Sequence, residues 1–117
     1  MISLNVNINI NESEIQSKID SRLDKAQFVL DEQVLKDSNN YAPWREHYLI
    51  ASSIEHSKPG TGSLIWETPY ARRLYYNPQY NFSKDHNPLA GGLWFERAKA
   101  AHGVDWARMA QNAYDNG

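Results

Sequence analysis

The sequence predicts an α+β domain, and three patterns lead to that class. Residues 2–10, ISLNVNINI, alternate Ile2, Leu4, Val6, Ile8 and Ile10 with Ser3, Asn5, Asn7 and Asn9. Period-two alternation in β-branched residues marks a strand with one buried face. From Ile15 to Val34 apolar residues return every third or fourth position, the period of a helix with one packed stripe. Further on, Lys58-Pro59-Gly60-Thr61-Gly62 separates two apolar segments in the manner of a hairpin turn. The 117 residues suit a single domain spanning 1–117. A chain of that length buries roughly two-thirds of its unfolded surface.

A strand at residues 2–10 needs a partner, in this chain or in a neighbouring subunit, because an unpaired edge invites aggregation. Asn11, with Glu14 three residues on, has the form of a capping box opening the long helix. The stripe of that helix is Ile15, Ile19, Leu23, Ala26, Leu30 and Val34, supported by Glu14–Lys18 and Glu32–Lys36 in the favourable i,i+4 order. Phe28, Val29 and Leu35 fall outside the stripe; they either widen the core face or form a second face that meets another subunit. Ser38-Asn39-Asn40 ends the helix, with Pro43 just beyond. Residues 41–54 suit either a short helix or a strand, and the turn at 58–62 favours a hairpin with Ser63–Trp66 as its second strand. Thr68 is placed to cap a short central helix with Pro69 at its first position. Asn77-Pro78 stops that helix, and a loop leads to Ala90-Gly91-Gly92. The last helical element runs from about Leu93 to Tyr114. Gly103 with Asp105 is expected to break or kink it, since glycine costs about 1 kcal/mol inside a helix.

Composition narrows the function classes. Fourteen acidic residues against twelve Lys and Arg leave a formal charge of −2. A nucleic-acid binder ordinarily carries a basic surplus, because displacing counterions from phosphates takes cations. With no cysteine in the chain, disulfides, thiolate nucleophiles and Cys-based metal sites are excluded. The alternating, cation-free first residues are unlike a secretory signal, and no apolar run nears the ~20 residues that span a bilayer. The expectation is a soluble protein, made in the cytoplasm and without membrane contact.

Motifs for chemistry are sparse. Pro59-Gly60-Thr61-Gly62-Ser63 lacks the lysine of a phosphate loop, and His47 and His56 have no metal-ligand spacing. Ser52, Ser53 and Ser57 near His56 have no nucleophile elbow around them. Asp85-His86 is only a neighbouring pair. No catalytic residues, cofactor or metal are therefore expected. What is dense is residues 66–97, which hold eight of the fourteen Trp, Tyr and Phe residues together with Arg72-Arg73 and Gly91-Gly92. Trp66, Tyr70, Leu74 and Trp94 are expected to hold this stretch together. Arg72, Arg73, Tyr76, Tyr80 and Phe82 are expected to touch a neighbour, since Arg and Tyr are enriched at protein–protein hot spots. The other reading is a small nucleic-acid-binding or regulatory module that uses the Arg72/Arg73 aromatic patch, with arginine holding phosphate and rings stacking on bases.

The stretch also carries a family resemblance. Thr68-Pro69-Tyr70-Ala71-Arg72-Arg73-Leu74-Tyr75-Tyr76, then Asn81-Phe82-Ser83-Lys84, then Asn87 to Lys99 with its Gly91-Gly92-Leu93-Trp94-Phe95-Glu96-Arg97-Ala98-Lys99 block, resemble the minor capsid proteins of long-tailed bacteriophages and prophages. That family is similar in turn to head–tail connector and tail-completion proteins. The resemblance implies a long N-terminal helix packed on a small antiparallel sheet, with a short central helix and a C-terminal helix. It implies a structural virion protein at the head–tail junction, without catalysis. Its partners would be other copies of itself in a ring, a portal or head-completion protein, and a tail tube protein, with encapsidated DNA passing through the channel without specific binding. Related neck proteins carry a Tyr-x-Pro-x-x-Thr-Gly-x-Leu-x-x-Ser pattern. Tyr41, Pro43, Leu49 and Ser52 match it, but Glu46 and His47 replace Thr-Gly, so the loop conformation that glycine permits is not carried over.

Overall fold

The computed structural model describes residues 1–7, 16–44 and 47–116, with the side chains of residues 16–18 also left aside. Along the chain run β1 (Ile2–Asn5), α1 (Gln16–Asn39), α2 (Tyr48–His56), β2 (Ser63–Trp66), α3 (Ala71–Tyr75) and α4 (Trp94–Asp115). The fold is α+β. The expected Asn11–Glu14 cap, the Glu14–Lys18 pair, Ile15 and the end of the N-terminal alternation at residues 8–10 lie outside the described residues.

Two long helices form its frame. On α1, Ile19, Ala26, Leu30 and Val34 are buried at helical spacing; on α4 the buried set is Trp94, Ala98, Trp106, Ala110 and Tyr114, all on a four-residue repeat. These stripes face each other in antiparallel fashion. Trp106 Nε1 donates to Asp37 Oδ2 at 2.7 Å, and the Arg22 guanidinium lies 5.8 Å from the Tyr114 ring centre, so positions descend along α1 as they ascend along α4. Of the residues outside the first stripe, Leu35 is buried, Val29 is half-buried and Phe28 is 52% exposed. The core face is therefore wider than the stripe alone, and only Phe28 is left outside it.

The expectation for Gly103 fails. α4 continues through it to Asp115, and a Cβ there would meet only Lys99 Cγ at 3.7 Å. Packing of Ala98, Trp106 and Ala110 on both sides outweighs the propensity of one glycine.

The sheet also differs from the expected hairpin. β1 pairs antiparallel with β2 in the register Ile2↔Trp66, Ser3↔Ile65, Leu4↔Leu64 and Asn5↔Ser63, and Val6 N–H extends the contact to Gly62 O at 2.7 Å. The segment before the turn is not a strand but α2, which buries Leu49 and Ile50. Its serines secure β2. Ser57 Oγ accepts Ile65 N–H at 2.8 Å, Ser52 Oγ accepts Glu67 N–H at 3.1 Å, and Ser53 Oγ accepts Asn39 Nδ2 at 2.9 Å. Asn39 in turn accepts Trp66 Nε1 at 2.9 Å. The serine cluster near His56 is thus a set of structural pins.

The turn itself hangs on α1. Asp31 is fully buried, and its Oδ2 accepts the N–H groups of Gly60 and Gly62 at 2.8 Å each. Gln27 Nε2 donates to Asp31 Oδ1 at 2.7 Å and to Val6 O at 3.0 Å, tying β1 to the same point. Gly62, with φ +78°, is needed twice over: a Cβ would also stand 2.6 Å from Val6 O.

His47 occupies the position of the glycine in the Tyr-x-Pro-x-x-Thr-Gly pattern. His47 adopts φ 69° and ψ −1°, the left-handed conformation a glycine would take at this place. Its ring packs 4.4 Å from that of Trp44, a contact glycine lacks.

Candidate assembly interface

α3 starts two residues later than expected. Tyr70 is its N-cap, with no side chain capping the helix, and Thr68 contributes its carbonyl, which accepts Ala71 N–H at 3.2 Å. Pro69 sits in the turn before the helix rather than at its first position. The helix buries Ala71 and Tyr75 and leaves Arg72 and Arg73 exposed. Asn77 Nδ2 closes its end on Arg73 O at 2.6 Å.

The inward side is aromatic. Trp94 packs edge-on against Tyr75 at 4.6 Å and against Trp66 at 5.8 Å, and all three are fully buried. Removing such a ring costs about 3–5 kcal/mol. Trp66 and Trp94 are core residues as expected, whereas Tyr70 and Leu74 are half-buried at its margin.

Gly92, Leu93 and Arg97 shape the chain beyond α3. A Cβ on Gly92 would stand 2.9 Å from both Leu74 O and Tyr75 O and 3.0 Å from Pro78 Cα, so only glycine lets the chain pass the end of α3. Leu93 takes the left-handed conformation at φ 49°, and its N–H bonds Tyr75 O at 2.9 Å. One turn into α4, Arg97 reaches back. Its Nε donates to Gly92 O at 2.9 Å, one terminal nitrogen to Leu89 O at 3.0 Å, and the other to Tyr41 O at 2.8 Å. Burial lowers the Arg97 pKa from its ordinary value, and the Tyr41 hydroxyl opposes that shift; the group still carries its charge at neutral pH. Asn87 adds a second tie, donating to Asn39 O at 3.1 Å and Ala42 O at 2.7 Å. The loop between α3 and α4 is therefore fastened to the end of α1.

That fastening leaves a cleft of about 570 Å³ lined by Pro43, Trp44, Arg73, Leu74, Tyr80, Asn81, Phe82 and Ser83. Three of the five expected contact residues, Arg73, Tyr80 and Phe82, meet here; the Tyr80 and Phe82 rings are 6.3 Å apart. Arg72 and Tyr76 form a separate pair, with the guanidinium 5.6 Å from the ring centre and Tyr76 57% exposed. Sequence reasoning missed Trp44 as a cleft wall. One of its ring partners, His47, is three residues on, but the other, His86 at 5.3 Å, comes from the distant α3–α4 loop, as do Tyr80 and Phe82, so no local pattern placed Trp44 in the cleft wall. It also missed Arg97, whose three acceptors are backbone carbonyls and leave no side-chain signature.

Among the described residues, no group of three or more His, Cys, Asp or Glu side chains is placed to hold a metal ion. No helix among them is long and apolar enough to cross a membrane.

Fold and surface together are those of a small α+β domain with an aromatic core and a cationic, ring-lined cleft. The chain belongs to the phage minor capsid protein family: residues 6–114 match the family described as "Minor capsid protein". That makes it a structural component of the virion. No match was found among curated proteins, nor among solved structures.

Proposed function

We propose that this chain is a connector or tail-completion subunit of the phage neck, joining the portal-bearing head to the tail without catalysis. The observation that carries the proposal is the Trp44–Arg73–Tyr80–Phe82 cleft. Rigid rings around a guanidinium are the composition of a protein–protein anchor site. In this reading the chain sits in a ring of its own copies and touches a portal or head-completion protein and the tail tube protein. DNA passes through the ring without specific binding, consistent with the formal charge of −2.

Deleting the gene should leave filled heads and free tails that do not join, seen by electron microscopy of the lysate; complete particles would overturn the proposal. Arg73→Ala should fold with a stability within about 0.5 kcal/mol of the native chain, as for other exposed substitutions. It should nevertheless reduce head–tail joining in a complementation assay; a variant that unfolds would show that Arg73 belongs to the core. The nucleic-acid reading of Arg72 and Arg73 predicts a salt-sensitive gel shift, and its presence at physiological salt would favour that reading instead.

A further inference from the structure

Charge is unevenly distributed along this chain. Residues 68–99 carry five cations (Arg72, Arg73, Lys84, Arg97 and Lys99) against two anions, Asp85 and Glu96; the rest of the chain carries twelve acids against seven cations. Three of those acids share one face of α1, which Lys36 closes at its C-terminal end. On α1, Asp20, Asp24, Phe28 and Glu32 are all exposed and follow one another at four-residue spacing, so they form one stripe along the helix. Like charges at i,i+4, as in Asp20 and Asp24, weaken the helix that carries them. The 52%-exposed Phe28 sits in the middle of this stripe, its ring held beside Gly60 of the turn.

The stripe runs back along α1 from the end that the cleft adjoins through Pro43 and Trp44. Asn87 holds the α3–α4 loop to Asn39 at the end of α1. Asp24 lies fifteen residues before Asn39 and Glu32 seven, about 22 Å and 10 Å away at the helical rise.

We propose that the cleft walled by Trp44, Tyr80 and Phe82 beside Arg73 receives the Asp24–Phe28–Glu32 stripe of a second copy of this chain. Phe28 enters between the rings, with Asp24 and Glu32 flanking it on the side of Arg73. The complementarity is threefold: acid against guanidinium, ring against rings, and a convex helix against a cleft of about 570 Å³. Because the two patches differ, the contact is head-to-tail, the kind that generates a ring when its rotation closes. This rests on the connector reading for its biological use, but the contact itself is tested separately.

The chain has no cysteine, so introduced thiols are the only ones it carries. The double variant Phe28→Cys, Tyr80→Cys, oxidised at low salt and in particles assembled by complementation, should give a ladder of disulfide-linked oligomers. Each single variant should give no species beyond a dimer. In the double-cysteine background, Asp24→Lys with Glu32→Lys, and separately Arg73→Glu, should each reduce the ladder at least tenfold. An equimolar mixture of those two proteins should restore it, since each then finds its complement on the other. No ladder in solution or in particles would overturn the contact, as would linkage of the thiol placed at position 80 to a different virion protein. If deletion of the gene leaves complete particles while the ladder still forms, the connector reading falls and the contact stands. If head and tail fail to join yet no ladder forms, the connector reading survives alone.

Discussion

Replacing Arg97 by alanine tests how the interface is built, because this side chain joins three segments through backbone carbonyls alone. Leu89 is exposed, so water can take over the bond to its carbonyl at little cost. Tyr41 O keeps Gly91 N–H at 3.0 Å, so it loses one charge-assisted bond, about 1 kcal/mol net. Gly92 is buried, and its carbonyl loses the Arg97 donor; leaving a buried acceptor unpaired costs about 1–3 kcal/mol. The guanidinium also lies 5.2 Å from the Tyr41 ring centre, an interaction of roughly 0.5 kcal/mol. Relief of the guanidinium's own desolvation offsets part of this. The expected loss is about 3 kcal/mol, which lowers Tm by roughly 10 °C for a chain of this size. Chemical denaturation followed by tryptophan fluorescence, with a thermal melt beside it, measures the change. Arg97→Lys should recover less than half, since one ammonium cannot serve three divergent carbonyls. A loss below about 0.5 kcal/mol for Arg97→Ala would refute the idea that this residue fastens the loop.

Three other substitutions test other joints. Gly92→Ala should destabilise the fold by about 1–3 kcal/mol in denaturant titration, because the atoms that meet the new methyl are backbone and cannot swing away. Asp31→Ala should cost about 2–4 kcal/mol by the same measurement. It orphans the Gly60 and Gly62 N–H groups and should also raise amide exchange in the 58–62 turn. Gly103→Ala should do the opposite and stabilise by about 0.5–1 kcal/mol, since α4 is continuous there and the methyl finds room; a destabilised variant would mean that the glycine is needed after all.

The amphipathic periods of α1 and α4, the turn at residues 58–62 and the aromatic core pair Trp66 and Trp94 were legible in the sequence, because each is written as a local repeat or as side-chain chemistry that admits one environment. Other features were legible only in kind. Residues 2–10 read as a strand in need of a partner, but the partner of Ile2–Asn5, Ser63–Trp66, lies about sixty positions away and no pattern pairs them. For residues 41–54 periodicity left helix and strand open and the turn favoured a hairpin strand; the chain forms α2 there instead, and β1 takes the place beside β2. The Gly103 break was a propensity argument overruled by packing.

The candidate site divides in the same way. Arg72, Arg73, Tyr76, Tyr80 and Phe82 are at or near the surface as their chemistry indicated, but whether they form one patch is a matter of direction. Arg72 and Arg73 are neighbours in sequence and about 100° apart on a helix, which sends one to Tyr76 and the other to the cleft. By itself, the sequence determined the fold class, the two helical stripes and the family, since those depend on period and motif. The tertiary structure decided the sheet pairing, the left-handed turn at His47, the Arg97 tie and the walls of the cleft. Each of these depends on contacts to backbone groups or to residues far along the chain, and such contacts leave no local trace in the side chains.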